Sequence, residues 1–142
     1  MNVFNYVFYK MYKSTAKVNN LYPEIPTIIF LSALLFLNIV SVLLIFNVSI
    51  KQISLNGIYL IITIILLFNF FYFLKNDKYK EILHEFDSKK KILFLDVLIF
   101  IYPFITFFVC FKLLKMPNGT ISFTLIGLLV IEIIGLFCEK KE

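Results

Sequence analysis

Residues 27–47 read TIIFLSALLFLNIVSVLLIFN, an uninterrupted apolar run without a charged side chain. A helix of about 20 such residues spans a bilayer, because each residue adds about 1.5 Å and the hydrocarbon core is about 30 Å thick. The apolar residues are continuous rather than alternating, which favours a helix over a barrel strand. We therefore predict that this run is a transmembrane helix.

Three further apolar runs have the same character, and together the four predict an all-α membrane protein. Pro26 suits the first turn of the first helix, Ser54 is a cap for the second, and Lys75 ends the second. Short links join the first run to the second and the third to the fourth, so we expect two antiparallel hairpins. The predicted spans are 27–47, 55–74, 92–111 and 119–138, within a domain of residues 27–138 that follows an arm at 1–26, contains a loop at 75–91 and precedes a tail at 139–142.

The overall composition leads to the same class. Of 142 residues, 61% are hydrophobic and 16% are charged, and the mean hydropathy is +0.91. A soluble domain of this size cannot bury so much apolar surface, so the excess must face lipid. The formal charge of +5 comes from lysines that flank the apolar runs rather than covering one soluble face, which excludes nucleic acid as a partner.

The distribution of the lysines predicts the orientation. Eleven lie on the side of the arm, the middle loop and the tail, and three lie on the other side: Lys51, Lys112 and Lys115. Positive residues favour the cytoplasmic side of a membrane. We therefore expect both termini in the cytoplasm and the protein in a bacterial inner membrane, with an organellar inner membrane as the alternative.

Two segments outside the spans are amphipathic. In the arm, apolar residues lie opposite lysines on a helical wheel, a pattern typical of an interfacial helix whose lysines meet anionic headgroups. In the loop, apolar residues recur at i, i+3, i+4 and i+7, which indicates a helix that rests on the bilayer or docks a partner. The predicted interfacial and docking residues are Phe4, Phe8, Lys10, Lys13 and Lys17 in the arm, and Tyr79, Ile82, Leu83 and Phe86 in the loop.

Polar residues within the spans are the candidate sites. Counted at about 1.5 Å per residue, Asp96, Glu132 and Asn69 fall at a similar depth in the cytoplasmic half. Asp96 and Glu132 either share a proton along a pathway for protons or small cations, or have structural partners. In the structural interpretation Asp96 bonds to the fourth helix or to the lysines at 89–91, while Glu132 bonds to Asn69 or a partner subunit. A partner's basic residue is the third possibility.

Two further candidates lie near midspan. Asn38 is placed to hydrogen-bond across helices, and Thr106 belongs to a polar stripe on the third span with Asp96, Pro103 and Cys110. Pro103 removes one backbone hydrogen bond of that helix and leaves a carbonyl without its usual partner. We therefore expect the stripe to face the bundle or a partner rather than lipid.

Motifs of catalysis are absent from the sequence. The single histidine, His84, has no second histidine and no cysteine nearby to build a metal site, and no nucleophile elbow or phosphate-binding loop is present. We therefore expect a non-enzymatic protein without metal or cofactor.

The segments FYKMYK at 8–13 and KYKEILHEF at 78–86, together with four spans, resemble small four-helix membrane proteins of AT-rich bacteria whose roles are uncharacterised. The resemblance implies the fold and no functional residues.

We expect a subunit or scaffold that acts through helix association with other membrane subunits or with copies of itself in the lipid bilayer. The alternatives are a homo-oligomeric pore or membrane-perturbing effector of a defence or immunity type, and a small proton-coupled carrier that uses Asp96 and Glu132.

Overall fold

The computed structural model describes residues 2–19, 21–48, 54–88 and 93–138, with the side chains of residues 94–130 in the last range. These residues form helices and contain no strand, which confirms the all-α class. The helices are α1 (Val3–Val18), α2 (Glu24–Ile45), α3 (Leu55–Leu74), α4 (Lys78–Asp87), α5 (Leu93–Leu113) and α6 (Asn118–Cys138).

Local sequence signals set several helix ends. Ser54 Oγ accepts a hydrogen bond from the backbone N–H of Gly57 at 3.1 Å, which is the predicted cap of α3. The helix ends at Lys75, as predicted, and a 3-10 turn over Lys75–Asp77 leads into α4. Asn76 and Asp77 have φ values of 55° and 54° in this turn. Asn and Asp tolerate this left-handed conformation better than other side chains with a Cβ, so the sequence suits the turn.

Among the described residues, three helical segments are long and apolar enough to cross a membrane: Glu24–Ile45, Leu55–Asp87 and Phe94–Leu113. They correspond to the first three predicted spans, although α2 begins at Glu24, before the predicted boundary at residue 27. Helix α6 has 21 residues, and its described side chains, from Asn118 to Val130, are mostly apolar.

The long helices pack as neighbours in the order α3, α2, α5 and α6. Helix α2 contacts α3 and α5, and α5 contacts α6. Helix α1 lies across one end of this group and contacts α2, α4, α5 and α6. This is the end where α2 and α5 begin and α3 finishes, because the partners of α1 include Ile28, Phe73 and Asp96.

The buried core is concentrated under α1 rather than along the length of the long helices. Phe8 is fully buried and stacks on Phe73 with ring centroids 4.0 Å apart. Aromatic rings bury large apolar areas, so such contacts stabilise a helix that is not itself apolar throughout. The core residues are Tyr6, Phe8, Tyr9 and Met11 of α1, Ile28, Leu31 and Leu34 of α2, Phe73 of α3, and Ile82 and Phe86 of α4.

This core covers part of the apolar faces of the two predicted amphipathic segments. Both are helical as expected, but the apolar face of α1 is not free to lie on a bilayer, since Phe8 is 0% exposed within the chain. On α4, Ile82 and Phe86 are buried, and Tyr79 and Leu83 are half-buried against the same core. The two amphipathic faces pack in a common core, because burying them together removes both from water.

Candidate functional site

Helix α1 carries two Tyr–Lys pairs at i, i+4 spacing, Tyr6 with Lys10 and Tyr9 with Lys13. Residues four apart are neighbours on one face of a helix, so each pair presents a phenol and an ammonium side by side. Each pair meets one aspartate from another helix. We call these four residues, with Asp87 and Asp96, the α1 clasp.

The first half of the clasp binds Asp96 in the first turn of α5. Tyr6 Oη donates a hydrogen bond to Asp96 Oδ1 at 2.5 Å, and Lys10 Nζ lies 2.8 Å from the same oxygen. The side chains of Lys10 and Asp96 are 24% and 26% exposed, so water screens the pair only in part. The position of Asp96 near a helix N-terminus also stabilises its negative charge.

The second half binds Asp87 at the end of α4. Tyr9 Oη donates to Asp87 Oδ1 at 2.8 Å, and Lys13 Nζ lies 2.9 Å from Oδ1 and 3.1 Å from Oδ2. The hydrogen bond from Lys13 holds the pKa of Asp87 below its ordinary value, assisted by the Tyr9 hydrogen bond and opposed by partial burial. Burial and the adjacent carboxylate raise the pKa of Tyr9 to about 12.

Aromatic packing joins the two halves. The Phe86 ring lies 5.2 Å from the ring of Tyr6 and 5.6 Å from the ring of Tyr9. Lys10 Nζ lies 5.5 Å from the centre of the Tyr6 ring, a cation–π distance. The clasp therefore connects α1 with α4 and α5, on the two sides of the link at 89–92.

A second polar cluster joins α2 to α5. Asn38 Nδ2 donates to Tyr102 Oη, and Thr106 Oγ1 donates to Asn38 Oδ1 at 3.4 Å. The prediction that Asn38 bonds across helices is confirmed, and Thr106 faces the bundle with 4% of its surface exposed. Tyr102 was missed by sequence reasoning, although its position one helical turn before Thr106 places it on the same polar stripe.

A third polar contact joins α2 to α3. Asn69 is fully buried and donates from Nδ2 to Ser32 Oγ at 2.8 Å. Ser32 Oγ in turn donates to the carbonyl of Ile28 at 2.7 Å. Among the described residues, no donor reaches Asn69 Oδ1. The sequence did not indicate Ser32 as the partner of Asn69, because the two residues are 37 apart in the chain and a serine can also bond within its own helix.

The predicted polar layer is divided between different partners. Asp96 bonds to α1 and Asn69 bonds to α2, rather than to each other. The interpretation that gave Asp96 a partner on α6 or among the lysines at 89–91 did not anticipate Tyr6 and Lys10. The side chain of Glu132 and residues 89–91 lie outside the described residues, so the proposed carboxylate pair stays a prediction.

Some of the predicted docking residues have partners within the chain, and others are exposed. Lys10 and Lys13 bind carboxylates of the chain rather than being directed only to headgroups, and Phe4 packs 5.5 Å from the Phe73 ring. Lys17 lies exposed in the last turn of α1, and His84 lies exposed on α4. Within the described ranges, no three His, Cys, Asp or Glu side chains are grouped to hold a metal ion.

The polar contacts of the clasp attach helices to one another. In the clasp each aspartate faces both an ammonium and a phenol, which satisfies its charge and fixes the position of α1. Comparison of the chain with protein-family models, curated proteins and solved structures finds no match. The geometry and the sequence are therefore the basis for any functional conclusion.

Proposed function

We propose that this chain is a small non-enzymatic integral membrane protein that acts as a subunit or scaffold through helix association. In this proposal four helices cross the membrane as two antiparallel hairpins, with both termini on the cytoplasmic side of a bacterial inner membrane. Helices α1 and α4 then form a cap at the cytoplasmic end. The lysine distribution supports the orientation, since eleven of the fourteen lysines fall on that side.

The exposed apolar surface of α3 is the observation that carries the proposal. Of the most apolar stretch of 18 residues in this segment, only 11% is buried inside the chain. Leu60, Leu67 and Phe71 are 61%, 65% and 67% exposed, although they lie in the interior of a helix that has no charged residue. Each such side chain left in water costs about 1.5–3 kcal/mol relative to burial, so this surface requires lipid or another protein helix.

The polar contacts within the chain suit the same environment. A charge left unpaired in a bilayer is costly, whereas Asp96 has Lys10 and Tyr6 as partners. Asn38 and Thr106 are likewise paired between α2 and α5. Association of helices in lipid relies on such hydrogen bonds and on close packing rather than on the hydrophobic effect.

The pore and carrier alternatives receive less support. A pore built on the α5 stripe needs that stripe on a central axis, but Thr106 and Cys110 are 4% and 0% exposed within one chain. A carrier that uses Asp96 requires its carboxylate to be released during transport, whereas Tyr6 and Lys10 of α1 both bind it. We therefore propose the subunit or scaffold role.

The first experiment tests topology with an impermeant thiol reagent on intact cells. Single cysteines replace Glu81 on α4 or Met116 in the link before α6, in a chain whose native cysteines are serine. We expect Met116→Cys to be labelled in intact cells, and Glu81→Cys to be labelled only after permeabilisation. Equal labelling of both sites in intact cells would contradict the proposed spans.

The second experiment tests association. The tagged full chain is purified from membranes in mild detergent, and copurifying chains are identified by mass spectrometry. We expect other membrane subunits or stoichiometric self-association, reduced in Leu67→Ala/Phe71→Ala but retained in the matched exposed pair Phe123→Ala/Ile126→Ala on α6. A monomer without partners that leaves liposomes sealed would refute the scaffold, and ion leakage from a ring-sized oligomer would establish the pore instead.

A further inference from the structure

The junction between α3 and α4 places two lysines beside the aromatic rings of the exposed Phe71 and the half-buried Tyr72. Lys75 Nζ lies 4.8 Å from the centre of the Phe71 ring, and Lys78 Nζ lies 3.6 Å from the centre of the Tyr72 ring. Tyr72 is held in place because its Oη donates to Asn5 Oδ1 of α1 at 3.1 Å. The two ammonium groups are therefore directed back along the end of the apolar helix.

Three other described lysines of this end have carboxylate partners. Lys10 and Lys13 bind the aspartates of the clasp, and Lys80 binds Asp77 at 2.9 Å. Among the residues that the structure describes, no carboxylate lies within ion-pair distance of Lys75 or Lys78. Since Asp77 is matched by Lys80, the junction has two positive charges without an anionic partner.

An apolar surface continues directly from the two charges. Phe68 and Phe71 are 63% and 67% exposed, and Leu74 is 37% exposed. Phe68 also stacks on Tyr72, with ring centroids 6.2 Å apart. A ligand for this surface needs an anionic group at one end and hydrocarbon beside it. An anionic phospholipid has both, because its phosphate lies at the depth of the lysines and its acyl chains lie along α3.

We propose that Lys75 and Lys78, with the rings of Phe71 and Tyr72, form a binding site for the headgroup of an anionic phospholipid. The inference rests on the proposed membrane location and adds a specific lipid to it. The turn that contains Asn76 and Asp77 positions the site, since it directs Lys78 back over the last turn of α3. Binding there links the bilayer surface to the cap formed by α1 and α4.

The test uses the full chain in nanodiscs of phosphatidylcholine with phosphatidylglycerol as the only anionic lipid. Native mass spectrometry then measures the phosphatidylglycerol that stays bound relative to phosphatidylcholine. We expect enrichment in the wild type and a loss of about 25-fold in Lys75→Gln/Lys78→Gln, since a lysine near an anionic surface contributes about fivefold, the equivalent of about 1 kcal/mol. Lys75→Arg/Lys78→Arg keeps the charges and should retain the enrichment.

The control Lys112→Gln/Lys115→Gln removes the same charge from the opposite end and should leave the enrichment unchanged. An equal loss in both glutamine pairs would overturn the site, because it would reflect general attraction to lysines. Unchanged enrichment in Lys75→Gln/Lys78→Gln would also overturn it. A wild-type chain that inserts without preferring phosphatidylglycerol refutes only the lipid site, whereas a chain that fails to insert refutes the proposed function.

Discussion

Removal of the ammonium group from Lys10 is the sharpest test of the α1 clasp. The substitution Lys10→Met keeps the apolar part of the side chain and removes the ion pair with Asp96, while the hydrogen bond from Tyr6 to Asp96 stays in place. The Lys10–Asp96 pair is about one-quarter exposed, at 24% and 26%. It therefore falls between exposed ion pairs, which contribute about 0.2–1 kcal/mol, and buried pairs, whose disruption costs about 3–5 kcal/mol. We expect a coupling energy of about 2 kcal/mol between the two residues.

A double-mutant cycle with Lys10→Met and Asp96→Asn measures this coupling without the separate effects of each substitution. The free energy of unfolding is obtained in mild detergent with increasing SDS, followed by helical circular dichroism. The matched cycle uses Lys13→Met and Asp87→Asn, whose side chains are 46% and 50% exposed. We expect about 0.5 kcal/mol there, with a stronger dependence on salt. A Lys10–Asp96 coupling no larger than this value would refute the partly buried clasp.

Two further predictions concern the same end of the molecule. Phe8→Ala removes a fully buried ring stacked on Phe73, so we expect the free energy of unfolding to fall by about 3–5 kcal/mol. The control Val18→Ala, at a residue that is 66% exposed on the same helix, should change it little. Similar values for the two variants would place α1 outside the core. The hydrogen bond from Lys13 lowers the pKa of Asp87 in the folded chain from its ordinary 3.8. The ionised Asp87 therefore stabilises the fold above about pH 3.8, and this stabilisation is lost as the pH falls through the lower pKa of the folded chain. Unfolding measured against pH should therefore show a steeper acid loss in the wild type than in Asp87→Asn, and parallel curves would contradict the interaction.

Short-range signals predicted the helices well. The cap at Ser54, the end of α3 at Lys75 and the helix within the loop at 75–91 all depend on residues close together in the chain. Hydrophobic periodicity likewise identified which faces of α1 and α4 are apolar. It could not state what would cover those faces, because lipid and another apolar helix satisfy the same pattern equally well.

The partners of the candidate residues depend on long-range packing. Tyr6 and Asp96 are 90 residues apart in the chain, and Tyr9 and Asp87 are 78 apart. Depth along a helix placed Asp96 and Asn69 at one level, but depth carries no information about which neighbour each side chain faces. Asn38 was easier to interpret, since a midspan amide has few ways to satisfy its hydrogen bonds other than another helix.

The amino-acid sequence alone determined that the chain is helical and rich in lipid-compatible surface, because continuous apolar runs and flanking lysines are local properties. Only the tertiary structure decided that α1 crosses the end of α2, α3 and α5 and buries Phe8 among them. The physical reason is that burial of Phe8 and Phe86, together with neutralisation of Asp87 and Asp96, requires the five helices α1 to α5 to meet. No single segment contains that information.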